Sequence, residues 1–257
     1  MASLARTLGI KKTLAVTPHP EYGCITADES SCFLCGVPTK SITEEHVFPK
    51  WLQSRYDLLN AKIDLLNGTT ITCKQLKIPC CTACNSGALS ALEGFISQAV
   101  VGGYQSAAKL NPRLWYLWAA KLYFGILHKE LTLPREQRDP AAGRIVEEDG
   151  LKTLRSLHLF LQGIRNKHDF CDRLPYSVLI CNLHDLQGLR AYSFRDNLFH
   201  MTLAIRMGEV GVIVCFEDHG LTTDSYGRYV HDVDHRKLHP IQFDELNRPG
   251  KRGGHLV

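Results

Sequence analysis

Apolar residues recur with a helical period most clearly in residues 111–130, the segment NPRLWYLWAAKLYFGILHKE. The positions that share one face of this segment are Leu114, Trp115, Trp118, Leu122, Tyr123 and Ile126. A spacing of three to four residues predicts an α-helix with a broad buried face. Asn111 suits the N-cap and Pro112 suits the first helical position, so we expect a core helix that begins there.

The pattern of apolar positions changes along the C-terminal half of the chain. Residues 151–165 carry leucines on one helical face, whereas the stretch after Pro175 contains four short runs rich in β-branched and aromatic residues, YSVLICNL, LRAYSFRD, HMTLAIRM and GVIVCFED. Such runs, separated by Gly, Asp and Asn, predict short antiparallel strands. Gly208 and Gly211 are predicted to mark the turn between the last two strands.

These patterns predict an α+β protein with a helical middle and an antiparallel C-terminal part. We divide the chain into an N-terminal extension (1–30), a cysteine-rich module (31–110), a helix followed by a linker (111–150) and an α+β accessory part (151–257). The linker is assigned to residues 134–150 because they are rich in charge, Pro and Gly. The accessory part is assigned to substrate choice, formation of a homodimer, or regulation through a partner protein.

Composition limits the classes of function. The chain has 257 residues, of which 44% are hydrophobic and 22% charged, as in globular proteins. A net charge of +4 is compatible with nucleic acid as a partner but does not require it. No apolar run reaches the ~18 residues needed to span a bilayer, and the N-terminus lacks a secretory signal. We therefore expect a cytoplasmic protein that does not enter membranes.

Cysteines are concentrated in the first third of the chain. A disulfide scaffold would suit a much shorter secreted protein, so ten cysteines indicate metal binding or scattered buried thiols. The six cysteines between residues 32 and 84 favour metal binding. Two C-x2-C pairs can aim four thiolates at one tetrahedral ion, and a site closed in this way is a structural zinc site. The predicted zinc ligands are Cys32, Cys35, Cys81 and Cys84. Cys80 would give a three-residue spacing to Cys84 and is less suitable, and Cys73 is a weaker spare.

Further polar residues lie beside the two pairs. Glu45 and His46 occur in the stretch Glu-His-Val-x-Pro between the pairs, and Asn85 directly follows the second. This combination resembles the zinc-knuckle branch of the HNH endonucleases over residues 31–93. The resemblance implies a ββα-metal fold, with His46 as the general base. It also implies that Glu45 and Asn85 hold a catalytic Mg²⁺ or Mn²⁺, and it is compatible with bacterial defence, mobile elements or toxins as the setting.

The chemistry of phosphodiester hydrolysis suits these residue types. Histidine can take a proton from water near neutral pH, and a hard divalent ion prefers carboxylate and amide oxygens. Adjacent strand residues face opposite sides, so Glu45 and His46 can converge only if the strand ends or bends there. Pro49 makes such an end plausible. Glu44 is an alternative to Glu45 if the strand bends differently.

The sequence also departs from the HNH pattern. Ala88 and Leu89 occupy positions where many HNH enzymes carry His, Lys or Asn. Glu93 either completes the metal site or is an ordinary carboxylate on the helix surface. Asn67 precedes a glycine, so it is more suited to a hairpin turn than to the middle asparagine of the pattern.

Other features bear on partners. The basic residues of the module that could contact phosphates are Lys50, Arg55, Lys74 and Lys77. His231, His235 and His239 recur every four residues, but Asp and Pro interruptions favour a loop over a second metal site. The favoured interpretation is a metal-dependent endonuclease that cleaves nucleic acid, with DNA as the expected substrate. The alternative is a non-enzymatic zinc module that binds nucleic acid or protein.

Overall fold

The computed structural model describes residues 30–38, 42–145, 154–166, 175–198, 200–225 and 237–246. The predicted N-terminal extension lies outside these ranges apart from its last residue, as do His231 and His235. Within the described ranges the structure mixes helices with small antiparallel sheets, which agrees with the predicted α+β class. Among the described helices, none is both long and apolar enough to cross a membrane.

The cysteine-rich part is built on a pair of strands distant in sequence. Its elements, in chain order, are β1 (Ile42–His46), α1 (Lys50–Arg55), β2 (Lys62–Asp64), β3 (Thr70–Thr72) and β4 (Lys77–Cys81). β1 pairs with β4 in antiparallel register, with Ile42 opposite Cys81 and His46 opposite Lys77. β2 and β3 form a hairpin whose turn holds Gly68 at a φ of 77°. Asn67 accepts a hydrogen bond from the Thr69 amide there, which confirms its role in the turn.

A succession of helices follows β4. They are a π-helical segment (Ala83–Leu89), α2 (Ser90–Val101), α3 (Gly103–Lys109) and α4 (Pro112–Leu131). α4 confirms the predicted helix, and the Asn111 side chain accepts the cap hydrogen bond from the Arg113 amide. Its burial exceeds the prediction, because residues 114–128 are buried on every side of the helix.

The described part of the predicted linker has regular structure. It forms a hairpin of β5 (Pro134–Glu136) and β6 (Asp139–Arg144), with Pro134 opposite Arg144. Two short helices follow, α5 (Arg155–Leu161) and α6 (Gly163–Asn166). High content of charge, Pro and Gly is also typical of hairpins with exposed strands, which is why composition alone did not distinguish the two.

The C-terminal sheet contains the four predicted strands. They are β7 (Ser177–Asn182), β8 (Tyr192–Asn197), β9 (Thr202–Met207) and β10 (Val210–Cys215), in the spatial order β7-β10-β9-β8, and α7 (Pro240–Leu246) follows. Gly208 lies in the turn before β10 with a φ of 65°, as expected. Gly211 does not: it lies within β10, where an added Cβ would come within 2.7 Å of Phe243. Close packing, not turn geometry, explains this glycine.

One continuous cluster of buried side chains joins the cysteine-rich part, α4 and the C-terminal sheet. Phe48, beyond β1, packs edge to face on Phe194 of β8 at 5.1 Å between ring centroids. Tyr123 of α4 packs on Phe216 at 4.7 Å. The division of the chain into separate units at residue 150 stays a prediction. These two aromatic contacts join residues on either side of that position.

Candidate functional site

Four cysteine sulfurs converge where β4 meets the following helix. The Sγ atoms of Cys32, Cys35, Cys81 and Cys84 all lie within 4.8 Å of one another. The Cys35 and Cys81 sulfurs are 3.9 Å apart, close to the ~3.8 Å expected across a zinc tetrahedron with bonds of ~2.3 Å. The predicted cluster is thus confirmed as one that could hold a metal such as zinc. Cys80 is fully buried and is not one of these four, although its sulfur lies 3.9 Å from the Cys32 sulfur.

The segment between the first two cysteines is bound by side chains of α5, a helix that lies much later in the sequence. His158 Nε2 donates to the Phe33 carbonyl oxygen at 3.1 Å, and Gln162 Nε2 donates to the Leu34 oxygen at 2.5 Å. Burial lowers the pKa of His158, so its ring stays neutral and can serve as a fixed donor. These contacts were not predicted, because the partners are more than a hundred residues apart in the sequence.

Asn85 joins the helix start to the strands. Its Nδ2 donates to Thr43 Oγ1 at 2.9 Å, and the Thr43 hydroxyl donates to the Cys80 carbonyl oxygen at 2.8 Å. The amide therefore connects the π-helical segment to both β1 and β4. Within the described residues, Asn85 Oδ1 accepts no hydrogen bond, and the role of Asn85 as an ion ligand stays a prediction.

The Glu45 carboxylate is bound by a lysine that the sequence analysis did not single out. Lys121, in the middle of α4, places Nζ 2.6 Å from Glu45 Oε1 and 3.0 Å from Glu93 Oε1. The same ammonium donates to the carbonyl oxygens of His46 at 2.7 Å and Val47 at 2.9 Å. One buried cation thus holds the end of β1, the start of the next loop and a side chain of α2.

Electrostatics keeps this lysine charged. Burial alone would lower the pKa of Lys121, but the carboxylates of Glu93 and Glu45 outweigh burial and raise it. Burial also raises the pKa of Glu93. Lysine is almost never fully buried unless it is paired. A single lysine inside the apolar and aromatic stretch WYLWAAKLYFGIL was therefore the signal in the sequence that could have revealed this ion pair.

His46 ends β1 on the more exposed side. β1 keeps regular pairing up to His46, so its pleat directs Glu45 toward the interior and His46 to the opposite face. Among the described residues, the imidazole has no hydrogen-bond partner, and it is partly exposed. Burial, followed by the charges of Lys77 and Lys50, lowers its pKa. A neutral, accessible imidazole at neutral pH can accept a proton from water.

The four predicted phosphate-contacting residues differ in their surroundings. Lys50 is exposed at the start of α1, and Lys77 pairs with Glu44 at 2.7 Å, where it lowers the pKa of that carboxyl. Lys74 donates to the Asn60 side chain at 3.1 Å. The Arg55 guanidinium lies 5.8 Å from the centre of the Tyr56 ring. Lys50 and Lys77 are therefore the ones whose charge acts on His46.

Comparison with known proteins adds no relative. No family model, no curated protein and no solved structure matches this chain. The resemblance to HNH endonucleases consequently rests on the cysteine pairs and on the residues between and after them. The structure establishes a mixed α+β protein with a four-cysteine cluster suited to a metal.

Two of the predicted ligands of the catalytic ion, Glu45 and Glu93, converge on the Lys121 ammonium. Asn85 donates to Thr43 through Nδ2, and the ion-binding role of its Oδ1 stays a prediction. Distances of 2.6 and 3.0 Å are those of charge-assisted N–H···O hydrogen bonds, so the ammonium occupies the position between the two carboxylates. With Lys121 in place, these residues do not fit a divalent ion between the two carboxylates.

Proposed function

We propose that the protein is an HNH-type endonuclease that hydrolyses phosphodiester bonds in nucleic acid, with DNA as the preferred substrate. His46 is the general base. The observation that supports this most is the state of His46, a partly exposed imidazole with a lowered pKa. It ends a strand that pairs with β4, and its carbonyl oxygen accepts a hydrogen bond from Lys121.

His46 takes the proton from the attacking water. A general base works best when its pKa lies near the working pH, because enough of it is then unprotonated while it is still basic enough to take a proton. Burial and the neighbouring lysines keep His46 in that form. Lys50 and Lys77 supply positive charge next to the imidazole, where a phosphate of the substrate would be attracted.

The four cysteines have a structural role in the proposed enzyme. A zinc ion on Cys32, Cys35, Cys81 and Cys84 has no open position for water, so its role is structural. It ties the helix start that carries Asn85 to the strand pair that carries His46. The zinc therefore fixes the distance between parts of the site that are far apart in sequence.

Charge on the leaving oxygen also requires a cation. The resemblance implies Mg²⁺ or Mn²⁺ on Glu45 and Asn85, whereas Glu45 is engaged by Lys121 in the structure. In the proposed reaction His46 takes the proton, and Lys50 and Lys77 supply the positive charge beside it. Cytoplasmic location, a part in bacterial defence and the role of residues 151–257 stay predictions.

A second candidate is a non-enzymatic zinc module that binds nucleic acid or protein. The observation that favours it is the same ion pair, because Lys121 neutralises charge on the carboxylates that a nuclease would use to hold its ion. In that case His46 and the lysines would only contribute to a binding surface.

Nicking of supercoiled plasmid distinguishes the two candidates. Wild type, His46→Ala and a control, His184→Ala, are assayed with Mg²⁺, with Mn²⁺ and without added ion. His184 is a suitable control because its side chain is exposed and it lies in the segment between β7 and β8. We expect nicking by wild type and the control, and a rate lower by ~100-fold or more in His46→Ala, the usual scale for loss of a general base.

Zinc content, thermal melting and DNA binding are measured on the same preparations. All three should be nearly unchanged in His46→Ala, since His46 is not in the cysteine cluster. DNA binding without nicking by any of the three proteins would establish the binding module instead. Equal nicking by wild type and His46→Ala would remove His46 from the mechanism.

A further inference from the structure

Four oxygen atoms surround the buried side-chain nitrogen of Lys121. Lys121 Nζ lies 2.6 Å from Glu45 Oε1 and 3.0 Å from Glu93 Oε1, and its carbonyl partners on His46 and Val47 are at 2.7 and 2.9 Å. Two carboxylates and two carbonyls are the donor types that hard cations prefer. Here the cation is supplied by the chain itself.

We infer that the Lys121 ammonium is the resident cation of the Glu45–Glu93 site, in the position that a divalent ion would otherwise take. The native protein therefore does not bind Mg²⁺ or Mn²⁺ between these carboxylates. The inference concerns cation binding alone, so it holds whether or not the chain cleaves DNA.

The geometry favours lysine over an exchangeable ion. The Lys121 side chain is fully buried on a long helix, and α4 carries it to the site among the rings of the core. Binding of a divalent ion would require the ammonium to leave its four partners and find room in a close-packed interior. A tethered cation also loses no translational freedom on each encounter, unlike a free ion.

A resident ammonium also sets the position of His46 without a metal. The bond from Lys121 to the His46 carbonyl fixes the backbone at the residue proposed as the base. The bond to Val47 fixes the next peptide. Omission of divalent ions should therefore leave the end of β1 in place.

Titration with Mn²⁺, followed by the loss of the free-ion EPR signal, tests the inference on the full-length, zinc-loaded protein. The proteins are wild type, Glu93→Gln, Lys121→Ala, Lys121→Met and the double variant Lys121→Ala with Glu45→Gln. Alanine removes the ammonium and leaves a space, whereas methionine removes the charge but fills most of the space. Of these proteins, we expect only Lys121→Ala to gain a site for one Mn²⁺ per chain. The melting temperature of this variant should rise when Mn²⁺ is added.

The outcomes are decisive without any nuclease assay. Loss of the gained site in the double variant supports the inference, because it places the ion at Glu45. A folded Lys121→Ala protein that gains no Mn²⁺ overturns it. Should Lys121→Ala fail to fold, wild type decides: a Mn²⁺ site that Glu93→Gln abolishes overturns the inference, and absence of such a site supports it. Nicking of plasmid, measured separately, reports on the proposed function only.

Discussion

The two ends of the β1–β4 pair are held by different chemistry. At one end Ile42 lies opposite Cys81, within the four-cysteine cluster. At the other, His46 lies opposite Lys77, and the buried Lys121 binds the His46 carbonyl oxygen. A two-stranded pair of this length is marginal without support. The cysteine end is suited to a metal, whereas the lysine end uses a charge that belongs to the protein.

The two ends of the β1–β4 pair are also bound by different helices. The cysteine end is bound by His158 and Gln162 of α5. The lysine end is bound by α4, and Gly125, about one turn after Lys121, lets that helix approach closely, since an added Cβ would lie 3.0 Å from Val47. Both ends of a short strand pair are therefore positioned by helices that follow it in the chain.

The largest expected effect is at the cysteine end. Cys35→Ser should remove zinc binding and unfold the cysteine-rich part, because structural zinc contributes about 10–16 kcal/mol of folding free energy in small zinc-finger peptides. Elemental analysis and thermal melting measure both consequences. Cys73→Ala is the control, since Cys73 is buried but lies outside the cluster. Wild-type protein purified without zinc or another metal would contradict the assignment.

The next largest effect is at the lysine end. Lys121→Met should lower the free energy of unfolding by about 3–5 kcal/mol, because it leaves two carboxylates without their buried partner. Zinc content should not change, which would show that the two ends are held independently. Lys129→Met, on the same helix but partly exposed, should stay within about 0.5 kcal/mol of wild type. Unfolding measured in urea gives both values, and equal stabilities for the two variants would refute the role given to Lys121.

The contrast between the two ends explains what the sequence could predict. The cysteine cluster was predictable because the two cysteines of each pair are close together in the sequence. The helix start at Asn111 and the turn at Asn67 also depend on neighbouring residues. The lysine end was not, because Lys121 lies 75 residues from His46 in sequence. Periodicity identifies a buried helix, but it cannot tell which distant oxygens a buried lysine will meet.

The same limit applies to the C-terminal half. The four strands followed from short apolar runs between turn residues. Gly211 was assigned to a turn because glycine is common there, whereas its cause is the Phe243 ring packed against β10. Contacts of this kind depend on tertiary packing, and a single sequence does not display them.

Asn85 lies between the two ends, and a smaller effect is expected there. Asn85→Ala should lower stability by about 1 kcal/mol through loss of the hydrogen bond to Thr43. Asn85→Asp removes the same donor while keeping an oxygen ligand, so we expect a comparable loss. Ser86→Ala, at the exposed neighbouring position, is the control. Full stability in Asn85→Asp, together with undiminished cleavage, would instead favour the predicted ligand role.

The smallest effect tests the charge around His46 and depends on the proposed nuclease activity. The pKa of His46 is lowered by burial first and then by Lys77 and Lys50. Lys77→Gln removes one of these charges and also releases Glu44, which then attracts the protonated imidazole. Both changes raise the pKa of His46, so less neutral base is present in acid, and the acidic limb of the cleavage rate should move to higher pH. The rate on the alkaline plateau should change little, because His46 is neutral there in both proteins.

Lys74→Gln is the control and should leave the acidic limb at the same pH, since Lys74 bonds to Asn60 away from His46. An acidic limb at the same pH in wild type and Lys77→Gln would mean that the limb does not report on His46.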